Sequence, residues 1–166
     1  MKPKQNNYAF IDSNNLYLGV KSEGWFIDYR RFRVHLQDQF DVGKAFMFIG
    51  FLEQNQGLYS QLQEAGFHLI FKDILEHNGA VKGNCDAELV LHCMIEYSRY
   101  NQAVVVTGDG DFSCLVRYLR EQGKLRAVLS PSRTRCSSLL RKASGNTLIF
   151  FNNFRHKVEY KKKSTP

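Results

Sequence analysis

The chain has 166 residues, 43% of them hydrophobic, which is enough for one domain with a substantial core and excludes a largely disordered chain. The formal net charge is +7, and this excess favours nucleic acid as the partner over a membrane surface or a charge that serves only solubility. No apolar run approaches the roughly 18 residues of a membrane span, and the polar N-terminus lacks the apolar core of a signal peptide. We therefore expect a cytoplasmic protein.

Short apolar runs alternate with amphipathic segments along the chain. The runs are typical of strands that are covered on both faces, and they lie at residues 8–11, 45–49, 67–71, 103–106 and 127–129, with 148–151 as a sixth candidate. Between them, apolar residues recur with helical spacing in segments that include residues 29–39, 58–65, 87–94 and 112–119. Strands that alternate with helices predict an α/β fold around a parallel sheet.

No internal repeat or long linker divides the chain. We therefore predict a flexible N-terminus at residues 1–6, a single domain at 7–155 and a basic C-terminal tail at 156–166. The polar segment 72–82 is predicted to be an exposed loop, which either grips a substrate or is plain surface. The four cysteines form no Cys-x-x-Cys pair, so we expect reduced packing residues rather than zinc ligands.

Four aspartates stand at the ends of predicted strands or at the starts of predicted helices. Asp12 follows the first strand, and Asp86 opens a helix. Asp109 and Asp111 follow the fourth strand in a Gly-Asp-Gly-Asp turn. If the first and fourth strands are neighbours, all four carboxylates converge at the carboxyl edge of the sheet, where parallel α/β sheets bind ligands.

Such a convergence of acids is costly unless a cation is present. Two like charges about 4 Å apart repel each other by about 4 kcal/mol at an effective dielectric constant of about 20. A divalent cation removes the conflict, and Mg²⁺ and Mn²⁺ both prefer carboxylate oxygens. The pattern therefore predicts a metal site that activates water and stabilises charge on a phosphodiester.

The same residues also have structural explanations. Asp111 and Asp86 are each placed to cap a helix, and Asp12 alone is compatible with an ordinary turn. Asn15 either orients Asp12, binds a phosphate or caps a helix. Thr107 either bonds a carboxylate or a water of the site, or simply fits the end of its strand. The joint pattern is stronger than any one residue, because three separated segments each place an acid at the same predicted edge.

Three segments together resemble a known family. They are residues 10–17 (FIDSNNLY), 82–89 (KGNCDAEL) and 106–112 (VTGDGDF), and in this order they are similar to the motifs of the NYN domain family. That family belongs to the PIN-like nucleases and includes the LabA-like proteins. The resemblance covers residues 7–151. It implies a PIN-like three-layer α/β/α fold with a central, mainly parallel sheet of about five to six strands.

The resemblance also implies a metal-dependent ribonuclease, with RNA as substrate and Mg²⁺ or Mn²⁺ as cofactor. By motif position, its catalytic and metal-binding residues are Asp12, Asp86, Asp109 and Asp111, and Asn15 is their companion asparagine. One alternative is a non-catalytic RNA-binding or regulatory domain that retains the acidic pocket. A more remote alternative is a phosphohydrolase of small molecules. A homodimer is left open, because PIN-like domains often pair.

Basic side chains are expected to hold the rest of an RNA strand. The candidates are Lys72, Lys82, Arg117, Arg133 and Arg135. Phosphate contacts of this kind bind without reading the base sequence, and they weaken as the salt concentration rises.

Overall fold

A parallel sheet forms the centre of the molecule. The computed structural model describes residues 3–77, 80–82 and 84–163, and among these it describes the side chains of all but 75–82. The described strands are β1 (Asn7–Asp12), β2 (Val42–Phe51), β3 (Phe67–Asp73), β4 (Leu75–His77), β5 (Ala80–Lys82), β6 (Ala103–Val106), β7 (Leu125–Ser130) and β8 (Leu148–Phe150). Six of them form one sheet in the order β3-β2-β1-β6-β7-β8. Every neighbouring pair is parallel, as the sequence predicts.

Helices cover both faces of this sheet. The described helices are α1 (Ser13–Ser22), α2 (Tyr29–Phe40), α3 (Gln56–Glu64), α4 (Asp86–Ile95), α5 (Ser113–Glu121), α6 (Ser138–Ser144) and α7 (Arg155–Val158). Alternate side chains of a strand point to opposite faces. Ile11 of β1 therefore packs in one core with Leu16 and Phe32, whereas Phe10 packs in a second core with Leu89 and Leu115. The three-layer α/β/α prediction is confirmed.

The order of the strands places the ends of β1 and β6 side by side. From β1 the chain proceeds to β2 and β3 on one side, and it then crosses to β6 and β7 on the other side. β1 and β6 pair in parallel, with Phe10 opposite Val105 and Ile11 opposite Val106. This switch in direction opens a crevice at the carboxyl ends of the two strands, which is where open α/β sheets bind ligands. The neighbour relation on which the predicted site depends is therefore present.

The segment predicted as a loop at residues 72–82 is a strand end followed by a hairpin. β3 continues to Asp73, and β4 pairs antiparallel with β5, with Leu75 opposite Lys82 and His77 opposite Ala80. The loop prediction is wrong because it weighed the polar residues and overlooked the Asn-Gly dipeptide at positions 78 and 79. That dipeptide is a strong hairpin signal when extended segments flank it. A role of this segment in gripping a substrate stays a prediction.

The C-terminal part of the domain packs back on the first core. Val158 is fully buried, and the N–H of Tyr160 donates a hydrogen bond of 2.8 Å to the carbonyl of Phe26. The predicted division of the chain at residues 6 and 155 stays a prediction. Among the described residues, no helix has the length and apolar character needed to cross a membrane.

Candidate metal centre

Asp12 is fixed by hydrogen bonds from two different elements. It is the last residue of β1, and its Oδ1 accepts a 3.2 Å hydrogen bond from the backbone N–H of Asn15, so it caps α1. Its Oδ2 accepts a 3.2 Å hydrogen bond from the hydroxyl of Thr107, which directly follows β6. The carboxylate is therefore oriented by groups on both of the strands that border the crevice.

Asn15 and Thr107 also fix the acidic turn that follows β6. The side-chain oxygen of Asn15 accepts a 2.7 Å hydrogen bond from the N–H of Gly108. The hydroxyl oxygen of Thr107, a fully buried residue, accepts a 3.1 Å hydrogen bond from the N–H of Asp109. The side chain of Thr107 thus connects Asp12 to the turn, and the side chain of Asn15 connects α1 to it. Asn15 contacts Asp12 through its backbone N–H and not through its side chain, and a phosphate contact of Asn15 stays a prediction.

The helix caps differ from those that the sequence suggested. Asp109 caps the short 3₁₀ turn Gly110–Phe112, because its Oδ1 accepts a 2.9 Å hydrogen bond from the N–H of Asp111. The capping alternative for Asp111 is wrong, since α5 begins only after this turn and Asp111 is left exposed. The capping alternative for Asp86 is wrong as well. Asp86 is the first residue of α4, and no side chain caps that helix.

Three of the four predicted acids have side chains that lie close together. One carboxylate oxygen from each of Asp86, Asp109 and Asp111 lies within 4.8 Å of the other two. Asp12 is outside this group of three, but it lines the same cavity as Asp86 and Asp109. The amide of Asn84 donates a 2.8 Å hydrogen bond to Asp86 and orients it. Whether these acids are metal ligands stays a prediction.

The donor set fits a hard divalent cation. Oxygen ligands lie about 2.1 Å from Mg²⁺, so two ligands on opposite sides of the ion are about 4.2 Å apart. The carboxylate oxygens of Asp86, Asp109 and Asp111 lie within 4.8 Å of one another, which is a separation of the same order. This group of three offers carboxylate oxygens only, and such ligands are typical of Mg²⁺ and Mn²⁺ sites. The residues present therefore suit the predicted cofactor.

The pKa values of two acids of the site are raised by burial and, to a smaller extent, by the negative charges of their neighbours. Burial, together with the charges of Asp86 and Asp109, raises the pKa of Asp12 to about 6, against the hydrogen bonds from Asn15 and Thr107. Burial is also the main cause that raises the pKa of Asp86, and the charges of Asp109 and Asp111 add to it. A cation bound among these groups would relieve both shifts.

A cavity of about 410 Å³ opens beside the acids and has a second wall that sequence reasoning missed. Ser130, Ser132 and Ser137 line it, together with Arg135. Ser130 is the last residue of β7, and the others follow it, so they stand at the same edge of the sheet as the acids. The rule that ligands bind at the carboxyl ends of parallel strands applies to this segment as well. Serines carry no charge, however, so the sequence offers no pattern that marks them as residues of a site.

The predicted RNA-binding residues make different contacts in the structure, and their role in binding RNA stays a prediction. Arg135 lines the cavity, whereas the Lys72 ammonium is engaged by the carbonyl of Asn84 at 2.5 Å and by Glu88 at 3.3 Å. The guanidinium of Arg133 lies over the ring of Phe150 at 4.4 Å. Arg117 is exposed on α5, away from the cavity lining, and the side chain of Lys82 lies outside the described part of the chain.

Comparison with known proteins agrees with this arrangement. A family model described as the NYN domain matches residues 8–150. The chain belongs to the NYN domain family. This NYN domain is 26% identical to the low amplitude and bright protein LabA of Synechococcus elongatus over 132 residues, which are 73% of this chain and 71% of LabA. Its fold is similar to a crystal structure of a protein of unknown function from Vibrio parahaemolyticus. The TM-score is 0.79 at 19% identity, with 96% of this chain and 99% of the other covered.

Proposed function

We propose that this NYN domain is a metal-dependent ribonuclease that hydrolyses RNA phosphodiester bonds with Mg²⁺ or Mn²⁺. The observation that carries the proposal is the meeting of three carboxylates from two separate segments, Asp86 on one side and the turn with Asp109 and Asp111 on the other. Among the residues whose side chains the structure describes, no basic side chain forms an ion pair with these three carboxylates, so the cluster is suited to a cation. The cavity beside it is open to a substrate.

Each part of the site has a role in this proposal. A bound divalent ion would lower the pKa of a water molecule and offset negative charge on the phosphate. Asp86, Asp109 and Asp111 would hold the ion. We assign to Asp12 the orientation of the attacking water and the acceptance of its proton, because its carboxylate faces the cavity and is fixed by Asn15 and Thr107. An in-line attack requires that these groups be preorganised, and their hydrogen bonds provide this.

RNA is the substrate that the overall charge favours. The chain carries a formal charge of +7 in spite of its acidic cluster, so basic residues elsewhere can attract a polyanion. Arg135 and Arg117 are exposed side chains of this kind. A small phosphorylated metabolite would not require an excess of positive charge over the rest of the surface.

The test is cleavage of a fluorescently labelled RNA with Mg²⁺, with Mn²⁺ and with EDTA. We expect cleavage with either ion, none with EDTA, and a loss of at least about 100-fold in the Asp109→Asn variant. Asp38→Asn is the matched control, because it removes an exposed carboxylate of α2 that is not part of the cavity lining. A wild-type protein that is inactive with every ion, or an Asp109→Asn variant that cuts as well as the wild type, would contradict the proposal. Binding of RNA without cleavage would support the non-catalytic alternative.

A further inference from the structure

The cavity beside the acidic cluster has two chemically different walls. Asp12, Asp86 and Asp109 form one wall, and the segment that begins at the end of β7 forms the other with Ser130 and Arg135. Phosphate oxygens can approach the first wall only where a cation is bound, because the carboxylates repel them. The second wall also has the hydroxyl of Ser137, which accepts a hydrogen bond from the N–H of Leu139 and keeps its own proton to donate, and no carboxylate is among its described lining residues. A strand that crosses the cavity therefore meets two places suited to phosphate.

Arg135 is the cation of this second wall. Among the described residues that line the cavity, no other lysine or arginine is present. A guanidinium offers a planar set of donors that matches two phosphate oxygens at once, which makes arginine effective at holding a phosphate in a fixed orientation. By contrast, Arg133 stands two positions away with its guanidinium over the ring of Phe150 and is not part of the cavity lining.

The segment that carries Arg135 is fixed to the end of α1 by a hydrogen-bond network. The hydroxyl of Ser132 donates a 2.5 Å hydrogen bond to Oε1 of Glu23 and accepts a 3.3 Å hydrogen bond from the N–H of Arg135. The hydroxyl of Ser130 donates to the carbonyl of Ser132 at 3.2 Å. Ser132 is 2% exposed, so this network is shielded from solvent, where hydrogen bonds hold their geometry best. The backbone at Arg135 is therefore preorganised and not a free loop.

The dimensions of the cavity limit what can enter it. Its volume of about 410 Å³ lies near the lower end of the range of small-molecule sites. A single nucleotide with its phosphate is a ligand of that scale, whereas a base pair within a duplex is not. Enzymes that act deep in such pockets take nucleotides from single strands or extrude them from a duplex.

We infer that Arg135 and the hydroxyl of Ser137 bind the phosphate that neighbours the scissile one, and that the cavity accepts one unpaired nucleotide at a time. The inference rests on the proposed ribonuclease function and deepens it by assigning Arg135 to one particular phosphate of the strand. The phosphate to be cut lies at the acidic wall, and the adjacent phosphate lies at Arg135. Glu23 is a positioning residue, because it acts on the substrate only through Ser132 and Arg135.

The experiment measures binding in place of cleavage. Fluorescence anisotropy with Ca²⁺ in place of Mg²⁺ or Mn²⁺, so that a cation neutralises the acidic wall, gives the affinity of the full chain for a labelled RNA of six unpaired nucleotides. We expect Arg135→Gln to weaken binding about tenfold and to lower the slope of log affinity against log salt by about 0.7, which is the value for one phosphate of a single strand. Arg133→Gln is the matched control for the loss of one positive charge. It is expected to weaken binding by less, and equally at all positions of the strand.

Neutral linkages then locate the phosphate. Six-nucleotide strands that each carry one uncharged methylphosphonate are compared in wild type and in Arg135→Gln. We expect the effect of Arg135→Gln to disappear for one linkage and to persist for the others, and a duplex of the same sequence to show no effect. An equal effect at every linkage, an equal effect on the duplex, or no binding of the single strand by the wild type overturns the inference. Absence of cleavage alongside position-specific binding would instead contradict only the proposed function.

Glu23 supplies an independent check of the same network. Glu23→Ala removes the acceptor of the Ser132 hydroxyl, and we expect it to weaken binding at the same linkage that depends on Arg135. Glu23→Gln keeps an oxygen acceptor in place and should restore wild-type affinity. A purely structural role would lower the affinity at all linkages and would also lower thermal stability in proportion. That outcome, or no change in Glu23→Ala, overturns the positioning role.

Discussion

The hydroxyl of Thr107 donates a hydrogen bond of 3.2 Å to Oδ2 of Asp12 and, through its oxygen, accepts one of 3.1 Å from the N–H of Asp109. One buried side chain thus connects the carboxyl ends of β1 and β6 and sets the distance between two acids. Because Thr107 is fully buried, water has no access to replace either bond. The acidic site therefore depends on a hydroxyl group that itself carries no charge.

Replacement of Thr107 by valine tests this dependence. Thr107→Val keeps the shape of the side chain but leaves the N–H of Asp109 without its acceptor, and we expect a loss of about 1–3 kcal/mol in the free energy of unfolding. We expect cleavage to fall as well, because Asp12 and the turn lose their common contact. Urea unfolding and the cleavage rate are the measurements. Thr107→Ser keeps the hydroxyl and should retain more activity than Thr107→Val, and equal activity in the two variants would contradict the role assigned to the hydroxyl.

The raised pKa of Asp12 predicts a specific dependence of stability on pH in the absence of metal. Burial and the charges of Asp86 and Asp109 raise this pKa to about 6, whereas an aspartate in the unfolded chain has a pKa of about 3.9. Well below pH 4 the Asp12 carboxyl is protonated in both the folded and the unfolded state, and it then does not change the free energy of unfolding. As the pH rises towards 6, the unfolded chain loses the proton first, so Asp12 destabilises the folded state progressively, by up to about 3 kcal/mol above pH 6.

Asp12→Asn should remove this penalty. In EDTA, we expect the variant to match the wild type near pH 4 and to become the more stable protein between pH 4 and pH 6, with a constant difference above that. Chemical denaturation at several pH values gives the free energies of unfolding. Asp38→Asn, which removes an exposed carboxylate on α2, corrects for the general effect of one negative charge. A difference that grows as the pH falls would show that the sign of the shift is wrong.

A divalent cation is expected to stabilise the fold. A ligand that binds only the folded state adds about 2.7 kcal/mol when its concentration is 100 times its dissociation constant. Addition of Mg²⁺ or Mn²⁺ should therefore raise the thermal midpoint of the wild type, and the gain should be strongest near pH 7, where the carboxylates repel one another most. Asp109→Asn should lose most of the gain, because it removes the negative charge of one of the three clustered carboxylates. An equal gain in Asp109→Asn and wild type at matched ionic strength would place the bound ions elsewhere.

The sequence predicted where the acids lie in the fold, but it did not predict the hydrogen bonds that they make. The positions of Asp12 and Asp109 followed from a general rule, that parallel strands end at one edge of the sheet and that ligands bind where the strand order reverses. Which acid caps a helix did not follow, because it depends on the 3₁₀ turn Gly110–Phe112 between β6 and α5. That turn places the capping position at Asp109 and not at Asp111. Gly-Asp-Gly-Asp gives both acids similar local surroundings, so the spacing alone does not distinguish them.

The second wall of the cavity was missed for a different physical reason. Ser130 and Ser132 act through long-range contacts, including the hydrogen bond from Ser132 to Glu23 across 109 positions in the chain. Local sequence patterns do not predict such contacts between distant residues. The length of β2 was also underestimated, since the predicted apolar run covered only residues 45–49. β2 begins at Val42, before the apolar run, because Val42 pairs with Asn7 and exposed Lys44 pairs with Tyr8, while the register shifts at Gly43 between them.

Gly110 is the position at which the acidic turn tolerates no larger residue. A Cβ added there would lie 3.1 Å from the Cβ of Ser137 and closer still to its hydroxyl oxygen. We expect Gly110→Ala to cost about 1–3 kcal/mol in the free energy of unfolding and to reduce cleavage, because the turn must move away from α6 and carry Asp109 and Asp111 with it. Gly57→Ala is the matched control. Gly57 lies in α3 with open space around it, so alanine should stabilise the protein by about 0.5–1 kcal/mol and leave cleavage unchanged. A Gly110→Ala protein as stable and active as the wild type would show that the turn and Ser137 are not closely packed.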